Sequence, residues 1–278
     1  MFTVDFRRKG EKMKHGDFTE MAKHYHNRPG YNPLMIEKLL ACINDKALPK
    51  TQLNIAEVGA GTGKLTELLA RDFKLNVNAI EPNDAMRHEG MNALKDLPNI
   101  NWQKGSGEAT HLPDQSQDWV VMASSFHWTD PQKSLPEFAR ILKGGSNNSE
   151  GGGGGYLTVL YNPRDLKEGS VFYEIEEEIK HLVPELKRIS SALQNPKKWD
   201  EVLVSTGHFT DCIFMECHYS EMWSKKRYMG AWHSVNDIQV QAGQKRWAQI
   251  LAMIEDKIAP FEALEVQYKI RAWSVRKV

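Results

Sequence analysis

Ile55-Ala56-Glu57-Val58-Gly59-Ala60-Gly61-Thr62-Gly63-Lys64-Leu65-Thr66 is the stretch on which the fold depends. Leu53 to Val58 reads as a short buried strand, and Leu65-Thr66-Glu67-Leu68-Leu69-Ala70 as the first turns of a helix with an apolar face. Three glycines stand between them at alternate positions. A backbone that turns sharply from strand to helix, and lets a ligand come close, needs residues without a Cβ. The N–H groups at the helix start then face whatever lies over the turn. This is the pattern of a nucleotide-type pocket.

The spacing is Gly-x-Gly-x-Gly, not the Gly-x-Gly-x-x-Gly that opens the helix under a dinucleotide pyrophosphate. A second strand follows, Leu75-Asn76-Val77-Asn78-Ala79-Ile80, and ends at Glu81. Glu81 lies roughly 20 residues beyond the glycines, where an acidic side chain accepts hydrogen bonds from ribose hydroxyls.

Composition narrows the field. The 278 residues suffice for one large domain or two small ones, and 41% hydrophobic with 26% charged residues is ordinary for a globular chain. The formal net charge is zero, which argues against a nucleic-acid binder. Cys42, Cys212 and Cys217 have no metal-ligand spacing and fit a reducing cytosol, so no metal is expected. The N-terminal stretch has no apolar run of signal-peptide length, and no stretch has the length of a membrane span. The expected location is cytoplasmic, with no nucleic-acid or membrane partner; the oligomeric state stays open.

Read in order, residues 1–16 form a loose leader and Phe18 to His26 a helix. Asn32 caps a helix with Pro33 at its first position. Asp84 to Leu97 is a helix and Asn99 to Gln103 a strand. Trp119-Val120-Val121-Met122-Ala123 has the continuous apolar character of a central parallel strand. Pro131 to Leu142 is a helix. Gly144 to Gly155 is low-complexity surface loop, and Tyr156 to Tyr161 is a fifth strand. Val171 to Val183, Lys187 to Leu193, Lys198 to Thr206, Lys225 to Trp232 and Asp237 to Ile258 read as helices. Cys212 to Trp223 and Leu264 to Val275 read as strands. Glu174, Glu176, Glu177 and Glu178 read as a solvated face.

Five blocks, in order, resemble the class I S-adenosyl-L-methionine-dependent methyltransferases of the small-molecule type. They are Glu57 to Gly63, Ile80 to Met86, Gly107 to Pro113, Asp118 to Val121, and Glu137 to Gly145. The resemblance covers about residues 20–162 well. It implies an α/β, Rossmann-like, seven-stranded and mostly parallel sheet, with helices on both faces and an antiparallel closing strand. A helical cover would follow strand five. The whole chain is then one domain: leader 1–16, cofactor-binding core 17–162, and substrate cover with closing strands 163–278.

The resemblance also implies a cofactor set. Tyr25 and Arg28, in an entry segment like that of many relatives, would lie near the carboxylate of S-adenosylmethionine. Glu57, Gly59, Ala60, Gly61, Thr62 and Gly63 form the glycine turn, and Glu81 with Pro82 the ribose site. Met86 would pack on the adenine, Glu108 and Ala109 would meet its edge, and Ser124 would border the cofactor. Ligands bind beyond the carboxyl ends of strands in open α/β sheets. Residues 124–128 should therefore border the acceptor too, and the Asp/Asn-Pro-Pro-Tyr/Phe motif of nucleic-acid amino-methyltransferases is missing there.

The expected activity is methyl transfer to a small-molecule acceptor, at a hydroxyl or carboxylate oxygen. His127 and His233 are candidate bases for a hydroxyl. Arg164 or Arg227 could anchor a carboxylate. Trp128, Tyr161 and Trp232 complete the acceptor-binding set. Methylation of tRNA or protein, a nucleotide-dependent oxidoreductase and a non-catalytic binding module stay open as alternatives. Removing Ser146 to Gly153 should leave fold and cofactor affinity intact, because long surface insertions contribute little to stability. Loss of binding by a folded deletion variant would show that the loop belongs to the site.

Overall fold

The computed structural model describes residues 18–44, 49, 52–144, 154–187 and 198–278. The leader, most of the glycine-rich loop and most of the helix expected over 187–193 lie outside the described residues. The chain divides into two compact units. One comprises Met1–Pro29, Pro163–Asn195 and His218–Lys269, and the other Gly30–Asn162, Pro196–Cys217 and Ile270–Val278.

The sheet has seven strands: β1 (Asn54–Val58), β2 (Asn76–Ile80), β3 (Ile100–Gln103), β4 (Trp119–Ala123), β5 (Tyr156–Tyr161), β6 (Phe209–Trp223) and β7 (Leu264–Lys277). Their order is β3-β2-β1-β4-β5-β7-β6. The first five are parallel, and β7 runs antiparallel to β5, as the resemblance implies. Strand order reverses where β1 neighbours both β2 and β4. A crevice beyond the carboxyl ends of β1 and β4 is where this topology places a ligand.

The larger unit contains α1 (Pro33–Ile43), α2 (Lys64–Glu67), α3 (Asp84–Ala93), α4 (Pro131–Ile141) and, further on, a short helix at Trp199–Val204. Asn32 caps α1 by accepting from the Leu34 N–H, with Pro33 at the first position. The helix expected after the glycine turn widens its bonding: α2 gives way to a π-helical turn over Leu68–Asp72, with hydrogen bonds one residue longer. All five residues of β4 are buried, as for a strand covered on both faces. Val120 and Met122 face a core made with Leu135 and Phe138 of α4. The alternate face carries a buried polar chain across three strands. Trp119 Nε1 donates to Thr158 Oγ1 (2.8 Å), which lies 2.9 Å from Ser274 Oγ.

The other unit contains a 3₁₀ helix at Thr19–Asn27, then α5 (Val171–Leu182). With the Trp199–Val204 helix as α6, α7 (Lys225–Trp232) and α8 (Asn236–Ile258) follow. Ile175 and Ile179 of α5, Tyr228 and Trp232 of α7, and Ile250 and Ile254 of α8 share one apolar core with Val266 and Tyr268 of β7. Two expectations need correction here. α8 is broken at Gly243, whose φ of 72° and ψ of 164° no helix accommodates. Glu176 does not belong to a solvated face: it is only 7% exposed and pairs with Arg164 at 3.1 Å. Among the described residues no helix is long and apolar enough to cross a membrane.

The hydroxyl of Thr158 links an indole N–H to Ser274, so Thr158→Val should leave buried polar atoms without their partner. The expected cost is about 1–3 kcal/mol. Urea unfolding, with m unchanged and the midpoint lowered, checks it.

Candidate functional site

The carboxyl ends of β1 and β2 are tied together by the residues expected to bind a cofactor. Gly59, Gly61 and Gly63 all take positive φ, at 75°, 59° and 85°. At Gly59 a Cβ would also stand 2.6 Å from the Ser125 Cβ, so nothing larger fits. The N–H groups of Gly59 and Ala60 donate to the Ile80 carbonyl. The next N–H, of Gly61, donates to Glu81 Oε2 at 2.8 Å, and the Asn83 N–H donates to Oε1 at 2.8 Å.

Glu81 is 6% exposed, and burial pushes its carboxyl above the usual range while the two N–H groups pull it back. Each carboxylate oxygen has room for a second bond, since an oxygen has two lone pairs. Pro82 precedes the cap: the Asn83 side chain accepts from the Met86 N–H, which starts α3. The Met86 thioether then lies beside Gly61, its methyl 3.4 Å from where a Cβ would stand.

Glu57 lies beneath this turn, fully buried, and accepts from Thr66 Oγ1. Burial drives its carboxyl up to about 8, against the hydrogen bond and with a further push from Glu81. Glu57 is thus a support below the turn. Thr62 completes the turn before α2.

The loop carrying Glu108 and Ala109 is fixed from α4. Glu137 accepts from both the N–H and the hydroxyl of Thr110, at 2.8 and 2.6 Å. Burial opposes its ionisation, but Arg140 and Thr110 outweigh it and hold the Glu137 carboxyl at about 2. Glu108 Oε1 accepts from the Asp130 N–H, and the Ala109 N–H donates to the Ser106 carbonyl. One oxygen of Glu108 is therefore already used inside the fold.

Beyond β4 the chain makes a short 3₁₀ turn, Phe126–Trp128. Ser124 enters it with φ of 54°, and Ser125 Oγ donates to the Val58 carbonyl, which binds the turn to β1. The His127 ring lies 4.8 Å from the Trp128 ring and 5.8 Å from that of Tyr161. Tyr161 stacks on Trp199 at 5.5 Å, and burial raises its phenol well above the ordinary value. Trp199 is the residue that local reading misses. It arrives from α6, and no local pattern pairs it with Tyr161.

Tyr25, Arg28, Arg164, Arg227, Trp232 and His233 lie in the other unit. Arg28 covers the Tyr25 ring and donates to Ser234 Oγ (2.5 Å) and O (2.8 Å). Arg164 lies over the Trp232 ring and donates to Tyr228 Oη and Glu176 Oε1, both at 3.1 Å. Arg227 stacks on Trp223 and pairs with Glu221 at 2.8 Å. Trp232, 2% exposed, is part of the helical core. The His233 ring lies 5.4 Å from that of His24, whose own titration is pushed down by burial and by His233.

Residues 56–147 match the family model described as a methyltransferase domain. A protein of Mycobacterium tuberculosis called an uncharacterized methyltransferase is 34% identical over 145 residues, covering 52% of this chain and 51% of the relative. The chain thus spans about half the length of the mycobacterial relatives it matches. The malonyl-[acyl-carrier protein] O-methyltransferase 1 of Ilyobacter polytropus is 26% identical over 178 residues, 64% of this chain and 60% of the relative. Among solved structures, a protein assigned as a type II methyltransferase from Anaeromyxobacter dehalogenans superposes with a TM-score of 0.57. At 17% identity, covering 90% of this chain and 97% of the other, that is a likeness of fold.

The elevated Glu57 gives a pH signature. A folded-state value near 8 against 4.5 unfolded means that the folded chain holds an extra proton between those limits. Its contribution is complete below pH 4.5 and is lost as pH rises through 8. Glu57→Gln should flatten the fall in stability across that window, measured as urea midpoints at stepped pH. An unchanged pH profile would mean that Glu57 is already ionised in the fold.

Proposed function

We propose that the chain is an S-adenosylmethionine-dependent methyltransferase that moves a methyl group to an oxygen of a small-molecule acceptor; the match of residues 56–147 to the family model described as a methyltransferase domain supports this reading. The observation that carries this reading is the buried Glu81 carboxylate, set over a glycine turn by the N–H groups of Gly61 and Asn83. A carboxylate in that position is suited to accept from both hydroxyls of a ribose. Gly61 keeps the backbone open, and Met86 beside it offers a flexible apolar face for the adenine.

Bound S-adenosylmethionine supplies a methyl group on a sulfonium, already strongly electrophilic. The protein's share is to place the acceptor oxygen in line with that methyl and to keep water away. For a hydroxyl acceptor, His127 would be the group that takes the hydroxyl proton when the methyl is transferred. The rings of Trp128 and Tyr161 flank His127, their centres 4.8 and 5.8 Å from its own. The name of the Ilyobacter relative, an O-methyltransferase, supports oxygen as the accepting atom.

S-adenosylhomocysteine, the demethylated product, is the probe for the first test. At a hundredfold excess over its dissociation constant it should stabilise the fold by about 2.7 kcal/mol, and NAD(P)H should not. Glu81→Ala should weaken its binding by roughly 1.5–3 kcal/mol per charge-assisted bond lost, read by calorimetric titration of a variant shown to be folded. Unchanged affinity removes Glu81 from the cofactor site.

A further inference from the structure

The carboxyl ends of β4 and β5 carry rings in file. Trp128 stands at the outer end with 42% of its surface exposed. His127 follows at 4.8 Å, Tyr161 at 5.8 Å from His127, and Trp199 beneath Tyr161 at 5.5 Å. Trp128 thus presents its ring at the carboxyl end of the parallel strands, where open α/β sheets bind their ligands. The backbone that carries Trp128 is fixed by the turn. The main-chain N–H of Trp128 donates to the Ser125 carbonyl, and the Thr129 N–H and hydroxyl both donate to the Phe126 carbonyl.

The charges around this file decide what it accepts. Two residues after Trp128, the Asp130 N–H is bonded to the Glu108 carboxylate, so two acidic side chains stand at this turn. The Asp130 carboxylate accepts from the Gln132 N–H as the cap of α4, and Lys133 lies 3.5 Å from it. Three arginines were candidates to balance an anionic ligand. Each has its guanidinium engaged within its own unit: Arg28 on Ser234, Arg164 on Glu176 and Tyr228, Arg227 on Glu221. An acceptor carboxylate would meet Glu108 and Asp130, while the ammonium of Lys133 is already drawn to Asp130, and like charges at short range repel.

We propose that the acceptor is an uncharged, flat ring compound bearing a hydroxyl group, its ring stacked on Trp128 and its hydroxyl presented to His127. This narrows the oxygen acceptor of the proposed function to a phenol-like hydroxyl, and it rests on that reading. In the transfer, the hydroxyl oxygen forms the bond to the methyl, the methyl–sulfur bond breaks onto sulfur, and the hydroxyl proton passes to His127. A stacked ring with a few polar tips is the usual make-up of a small-molecule site.

The test uses the full chain and two matched probes, 1-naphthol and 1-naphthoate. S-adenosylhomocysteine is titrated first; if it does not bind, the methyltransferase reading falls and takes this proposal with it. With that ligand bound, 1-naphthol should bind at least tenfold more tightly than 1-naphthoate. Trp128→Ala should weaken naphthol binding at least tenfold, and Trp128→Phe should keep most of it. S-adenosylhomocysteine affinity in both variants shows whether the fold and cofactor site are intact. Naphthoate binding as tightly as naphthol, naphthol binding that ignores the loss of Trp128, or binding of neither probe to the loaded protein overturns the proposal while leaving the methyltransferase reading in place.

Discussion

One carboxylate ties together the carboxyl ends of β1 and β2. Glu81 gathers the N–H of Gly61 from the turn after β1 and the N–H of Asn83 from the turn after β2. Desolvating a carboxylate is costly, and backbone N–H donors offset much of that cost. The rest follows from this joint. The Gly61 N–H can point at Glu81 only if the turn takes positive φ, which only glycines adopt without strain. The Gly59 site can approach Ser125 only without a Cβ, and Ser125 in turn holds the 3₁₀ segment with His127 to β1. The glycine turn and the 3₁₀ turn are thus positioned by the same close contact.

The helical unit solves a different problem with similar means. Arg164 is a buried cation whose guanidinium meets one carboxylate, one phenol and one indole face. A buried pair of this kind adds little net stability over a well-packed apolar replacement, because desolvation cancels much of the attraction. Its effect is on geometry: the loop after β5, α5 and α7 must meet at one place for Arg164 to be satisfied. Loss of one partner would leave an uncompensated buried charge, which is far worse than loss of both.

Much of this was legible in the sequence where the signal is local. The glycine turn, the Asn32-Pro33 start of α1, strand Tyr156–Tyr161 and helix Lys225–Trp232 are set by residues within a few positions of one another. The antiparallel last strand came from the family resemblance, not from alternation alone. What stayed hidden depends on distant partners. Glu176 looks like any glutamate on a helix until Arg164 is beside it, and a guanidinium in a loop looks free until Tyr228 and Glu176 claim it. The break at Gly243 was hidden differently: an apolar period continued through it, and a single glycine inside a helical pattern is commonly tolerated. The file from Trp128 to Trp199 was not legible, because it joins segments that no spacing rule connects.

The strand order has a consequence for how the chain is made. β7 lies between β5 and β6, yet it follows both in the sequence. β5 is complete at Tyr161 and β7 begins at Leu264, so a ribosome adds about a hundred residues before the gap can be filled, on the order of 5–20 s at usual rates. For that interval the nascent sheet ends in a bare β5 edge, and β6 lacks its neighbour, because among the described residues β7 is the strand beside it. Bare strand edges are templates for pairing with other chains. The parallel half of the sheet can assemble early, but its edge is covered only when β7 takes its place between β5 and β6.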